Sequence, residues 1–175
     1  MAVLEAISRF ILHYLISSIH YPFSMPYRIC KMIEVENGHL LSKHPDKCRF
    51  PHGHTRKVEL VFEADTLDDR EMVFDFKLIS RMIGDFLETY DHALCMNTDD
   101  PKFGFFKEAY GDRIIGFEGE DPTTEVMART IYEHTKASLS SFFDAPDTEY
   151  PVRSEVRIAK IRVWETTSSW AEYCE

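Results

Sequence analysis

The run Cys48-Arg-Phe-Pro-His52-Gly-His54-Thr-Arg-Lys-Val58-Glu-Leu60-Val-Phe62-Glu-Ala64 carries a period of two. From Thr55 to Ala64 the even positions Val58, Leu60, Phe62 and Ala64 are apolar, while Lys57, Glu59 and Glu63 occupy the odd ones. Successive side chains of a strand point to opposite faces, so this pattern predicts a half-buried β-strand. His52 and His54 share the even parity and extend the inward face to the start of the strand. Two neutral imidazoles side by side suit zinc and other late divalent ions.

Upstream, the odd positions Ile29, Ile33 and Val35 predict a second strand that continues toward Asn37 and His39, and His39 has the parity to supply a third ligand. Downstream, a charged turn from Asp65 to Glu71 precedes Asp75, a good helix cap. Leu78, Met82, Phe86 and Tyr90 then form an i, i+4 stripe. Residues 95–121, rich in Asp, Gly and Phe, read as an irregular excursion with room for short elements of its own. A second helix begins at Pro122-Thr123-Thr124-Glu125, with Ala128, Ile131, Thr135, Leu139 and Phe142 on one face. A Pro and Asp linker at 144–151 leads to a strand over Val156 to Trp164 and a short strand over Trp170 to Cys174. The expected class is α+β, an antiparallel sheet with helices on one face. Leu4, Ile7, Ile11, Leu15 and Ile19 lie at helical spacing in an N-terminal extension over 1–24, and 25–175 reads as one domain.

Composition narrows the function. The chain has 175 residues, 44% of them apolar, which fits a globular domain rather than a disordered segment. Thirty acidic against twenty basic side chains leave a net charge of -10, the wrong sign for coating nucleic acid. Phe10 to Ile19 is too short and too interrupted to span a membrane. The four cysteines are scattered and Glu5 and Arg9 break any secretory leader, so free thiols in a reducing, cytoplasmic setting are expected.

Other candidate groups surround the histidines. Cys48 fits three roles: a small buried hydrophobe, a fourth zinc ligand that closes a structural site, or a thiolate acting as base or nucleophile. Lys43, Lys47, Arg49, Arg56 and Lys57 form a local basic excess, which is either a solvated face or one that meets an anion. Asp91 can orient His92 as an acid/base pair. Glu165 shares parity with Ala159, Ile161 and Val163, so its carboxylate points inward if the strand runs that far, where a guanidine-like edge of a heterocycle would satisfy it. His52-Gly-His54 followed by Glu59 also mimics part of the cupin metal motif, but the flanking glycines and a second motif are missing.

Five motifs in order, Cys48-Arg-Phe-Pro-His52-Gly-His54, Val73-Phe-Asp75-Phe, Tyr90-Asp91-His92-Ala-Leu, Pro122-Thr-Thr-Glu125 and Trp164-Glu165-Thr, make the chain resemble the 6-pyruvoyl-tetrahydropterin synthase and 6-carboxy-tetrahydropterin synthase family. The resemblance implies the tunnelling fold, with four-stranded antiparallel sheets and paired helices assembled into a barrel, commonly a homohexamer with sites at subunit interfaces. It implies a zinc ion on His39, His52 and His54. Because His39 sits in Glu36-Asn37-Gly38-His39 rather than after the family's short aromatic and alanine-rich strand, His44 is the competing first ligand. By the same carry-over Cys48 is the proton acceptor, Asp91 and His92 the second acid/base pair, Glu165 the carboxylate that grips the pterin, and Thr123, Thr124 and Glu125 the stretch that completes its pocket. The implied substrate is 7,8-dihydroneopterin triphosphate. Family members that make the pyruvoyl product resemble one another in a longer insert between thiol and metal. Here only Arg49, Phe50 and Pro51 intervene, which favours the branch that yields 6-carboxy-5,6,7,8-tetrahydropterin for queuosine and other 7-deazaguanines.

Overall fold

A computed structural model describes residues 25–144 and 149–175. The N-terminal extension lies outside the described residues. β1 (Tyr27–His39) and β2 (His52–Ala64) form a long antiparallel hairpin in uninterrupted register, from Tyr27 opposite Ala64 to His39 opposite His52. That register follows from the two apolar parities, since a slip of one residue would turn Val35, Val58 and Leu60 to solvent. It also sets Asn37 opposite His54 and Val35 opposite Arg56.

β5 (Arg157–Trp164) pairs with β2 and β6 (Trp170–Tyr173) with β5, both antiparallel. These four strands are the ones expected from the sequence. The sheet has six strands rather than four, however, in the order β4-β3-β1-β2-β5-β6. β3 (Leu94–Asn97) runs parallel to the end of β1, and β4 (Ile114–Phe117) parallel to β3, so the sheet is mixed. The stretch expected to be irregular supplies this addition, with a third helix between its strands. Four-residue strands are too short for periodicity to show.

α1 (Phe76–Tyr90) starts where expected, the Asp75 carboxylate accepting a hydrogen bond from the Lys77 amide. α2 (Phe103–Tyr110) belongs to the insertion, and α3 (Thr124–Asp144) starts at the Thr pair. Leu78, Ile79, Met82 and Ile83 of α1 and Ala128, Ile131 and Leu139 of α3 bury against Leu60, Phe62, Ile161 and Val163 of the sheet. Fully burying an apolar side chain of this size contributes about 1.5–3 kcal/mol, so this face is the main source of stability. A satellite cluster of Leu40, Met96 and Ile114, with Phe103 and Phe106 against it, fixes the insertion beside the end of the hairpin where the histidines lie. No helix of the described residues is long and apolar enough to cross a membrane.

Candidate metal centre

The hairpin register brings the three imidazoles together. His39 and His52 are cross-strand partners, His54 is two residues along the same face, and the ring centroids lie 4.4 to 5.2 Å apart. His39 Nδ1 lies 2.8 Å from the Pro122 carbonyl and His52 Nδ1 2.8 Å from the Phe50 carbonyl. A carbonyl only accepts, so each ring carries its proton on Nδ1 and presents the Nε2 lone pair inward. The two Nε2 atoms are then 3.0 Å apart with no proton of their own between them. His54 Nε2 is buried without a hydrogen-bond partner. Three imidazole nitrogens gathered at one point, two of them fixed as lone pairs, fit a bound cation, and two nitrogens on a tetrahedral zinc at ~2.0–2.1 Å would stand roughly 3.3 Å apart. Burial holds His39 neutral, its pKa lowered to about 4, and likewise lowers that of His54, with the Arg56 charge adding to both effects. Neutral imidazole is the form that binds metal.

Among the described residues His39, His52 and His54 are the group able to hold a metal ion. His44 stands outside it, its Nδ1 accepting from the Asp46 amide. Cys48 also stands outside it, on the short 3-10 turn Lys47–Arg49, which disfavours its role as a closing ligand. Cys48 instead lines a cavity of about 370 Å³ together with Thr123, Thr124, Glu125 and Glu165. Four of the expected substrate-side residues and the thiol thus meet in one place.

Glu165 follows the last residue of β5, and its Oε1 reaches inward to 3.6 Å from His39 Nε2 and 3.7 Å from His54 Nε2. Burial alone would raise its pKa, but the hydrogen bond from Thr124 and the charge of Arg56 outweigh that and bring it below the usual carboxylate range. The carboxylate stays ionised and ready for paired N–H donors. Thr123 caps α3 by accepting from the Val126 amide. The turn before it is anchored by Asp121, whose carboxylate binds the Ser42 hydroxyl, the Lys43 amide and the Asn97 side chain.

Asp91 and His92 form the expected pair, Asp91 Oδ2 lying 2.6 Å from His92 Nδ1. Both are strapped to β1: the Glu36 amide donates to Asp91 Oδ1, and the His92 amide donates to the Glu36 carbonyl. His92 holds a left-handed φ of 56°, a conformation uncommon outside glycine. The pair does not share the thiol's cavity. His92 lines a larger one of about 670 Å³, reached also by His54 and by Tyr110 and Arg113 of the insertion.

The basic excess divides. Lys57 pairs with Glu34 on the opposite face of the sheet, and Arg56 is buried among the site residues, so neither joins a basic surface with Lys43, Lys47 and Arg49. Arg56, Asn37 and Asp121 escape a reading for ligands and bases. For Arg56 and Asn37 the signal was present: each has the inward parity of its strand, where a charged or amide side chain requires partners. Asp121 lies in a turn and has no such signature.

A sequence profile of the 6-pyruvoyl tetrahydropterin synthase family matches residues 28–175. The 6-carboxy-5,6,7,8-tetrahydropterin synthase of Aquifex aeolicus is 29% identical over 169 residues, covering 86% of this chain and 99% of its own length. That of Rickettsia conorii is 33% identical over 99 residues, 56% of this chain and 72% of the relative. Among solved structures, an uncharacterised protein of Wolinella succinogenes aligns with a TM-score of 0.65 at 21% identity, covering 85% of this chain and 97% of its own. The 6-pyruvoyl tetrahydropterin synthase of Plasmodium falciparum aligns with a TM-score of 0.59 at 13% identity, covering 85% and 96%. These structures share the fold.

Proposed function

We propose, since the chain belongs to the 6-pyruvoyl tetrahydropterin synthase family, that it is a zinc-dependent lyase converting 7,8-dihydroneopterin triphosphate and water into 6-carboxy-5,6,7,8-tetrahydropterin, acetaldehyde and triphosphate, a step toward queuosine. The observation that carries this reading is the convergence of three imidazole nitrogens beside an ionised Glu165 and the Cys48 cavity. The curated relatives named for the carboxy product and the three-residue loop from Cys48 to His52 favour that product over the pyruvoyl one.

His39, His52 and His54 would hold the metal, which when bound polarises the side-chain oxygens of the substrate and makes the neighbouring carbon-bound protons more acidic. Glu165 receives the N–H donors of the pterin's guanidine-like edge, and Thr123, Thr124 and Glu125 close that side of the pocket. Cys48 takes a proton from the side-chain carbon. His92, kept in one tautomer by Asp91, returns or removes a proton through its exposed Nε2. Because thiol and dyad open into different cavities of one chain, we read the working form as a homo-oligomer, a hexamer by family resemblance, in which a second copy brings its dyad to the thiol. Lys43, Lys47 and Arg49 supply the charge to attract the triphosphate, and the free thiols fit a reducing cytoplasm.

Release of inorganic triphosphate from 7,8-dihydroneopterin triphosphate by the zinc-loaded protein tests the lyase reading, and no release above a metal-free control would reject it. Glu165→Gln should weaken pterin binding roughly 10-fold to 150-fold, the worth of a charged hydrogen bond at ~1.5–3 kcal/mol, with zinc content unchanged. Titration of Glu165→Gln with full affinity would remove Glu165 from the pterin pocket.

A further inference from the structure

Arg56 lies on β2 two residues beyond His54, on the same inward face, and is 1% exposed. A guanidinium keeps its charge when buried, and such a charge is tolerated only where its donors find partners. Nε donates to Asn37 Oδ1 at 2.9 Å, and Nη1 donates to Thr124 Oγ1 at 3.1 Å. Nη2 stands 3.1 and 3.3 Å from the two ring nitrogens of His39 and 3.7 Å from Glu165 Oε1. His39 Nδ1 already donates to Pro122 and cannot accept. His39 Nε2 faces the other two histidines, so once a metal takes its lone pair the Glu165 carboxylate is the acceptor left for Nη2.

A second path leads to the same carboxylate. A threonine hydroxyl has one proton. Because Thr124 Oγ1 accepts from Arg56, its own proton remains to be donated, and Thr124 and Glu165 line the same cavity. From these contacts we infer that Arg56 is a positioning residue for Glu165, directing the carboxylate toward the histidine cluster through Nη2 and through the Thr124 hydroxyl. This rests on the proposed function, in which Glu165 receives a heterocycle presenting two N–H donors on a guanidine-like edge. Arg56 ties β1, β2, the start of α3 and the turn after β5 around that carboxylate. Lysine could not do so, because one ammonium cannot reach Asn37, Thr124 and Glu165 with the spacing of a planar fork.

The test is a double-mutant cycle on the full-length zinc-loaded protein, using 7,8-dihydroneopterin as the probe so that phosphate contacts do not enter. Wild type, Arg56→Met, Glu165→Gln and the double variant are titrated, and zinc is measured in each by elemental analysis. Arg56→Met should retain zinc and lose roughly 10-fold or more in affinity, but should add no more than about 2-fold in the Glu165→Gln background. Arg56→Lys, which retains the charge, should show the same loss and the same coupling, and it serves if the methionine variant does not fold. Unchanged affinity in a zinc-replete Arg56 variant, or losses that multiply independently of Glu165, would overturn the inference while leaving the lyase reading intact. If wild type itself does not bind dihydroneopterin, both fall together.

Discussion

His54→Ala should leave a folded protein that no longer retains stoichiometric zinc after dialysis. The three ligands share a binding free energy that for zinc sites is on the order of 10–16 kcal/mol, so losing one weakens binding by roughly 3 kcal/mol or more, about 10²-fold at least. The substitution is also tolerable for the fold. His54 Nε2 has no hydrogen-bond partner to strand, and Asn37, its cross-strand neighbour, keeps its bond to Arg56. His52→Ala should behave in the same way. His44→Ala should retain zinc, because His44 sits outside the cluster and bonds its own turn. Elemental analysis of the dialysed variants decides the matter, and a zinc-replete His54→Ala would refute the three-histidine assignment.

Cys48→Ala has the second large effect, this time on rate. A positioned acid or base contributes typically ~10²–10⁴-fold, and turnover should fall by about that factor. Zinc content and dihydroneopterin affinity should stay near wild type, since Cys48 is outside the metal-holding group and only borders the cavity that Glu165 enters. That split between rate and binding separates a base from a ligand. Normal turnover would reject the role, and loss of zinc would return Cys48 to the coordination sphere.

The hairpin was legible because its chemistry is local. Even parity in β2 and odd parity in β1 specify which side chains face the helices, and the same parities bring His39 to His52. The helix starts at Asp75 and Thr123 were legible for a similar reason: capping involves residues two or three apart. The insertion was not. β3 and β4 are four residues each, and their place in the sheet depends on pairing with β1 and on the small cluster around Met96 and Ile114, contacts far apart in sequence. Within the site, chain order set Cys48 and His92 beside the histidines as equals, whereas the fold turns them to separate cavities. Arg56 was legible only in part. Its even position already placed a cation on the apolar face, but the partners that make this tolerable come from β1 and α3.

The most direct test of the account is to follow the carbon lost from the substrate side chain. The zinc-loaded protein is incubated with 7,8-dihydroneopterin triphosphate in the presence of a hydrazine, and the trapped aldehyde and the pterin are identified by mass spectrometry. Acetaldehyde hydrazone and 6-carboxy-5,6,7,8-tetrahydropterin are expected in equal amounts with triphosphate. Triphosphate release without acetaldehyde, with a 6-pyruvoyl pterin in the mixture, would contradict the account.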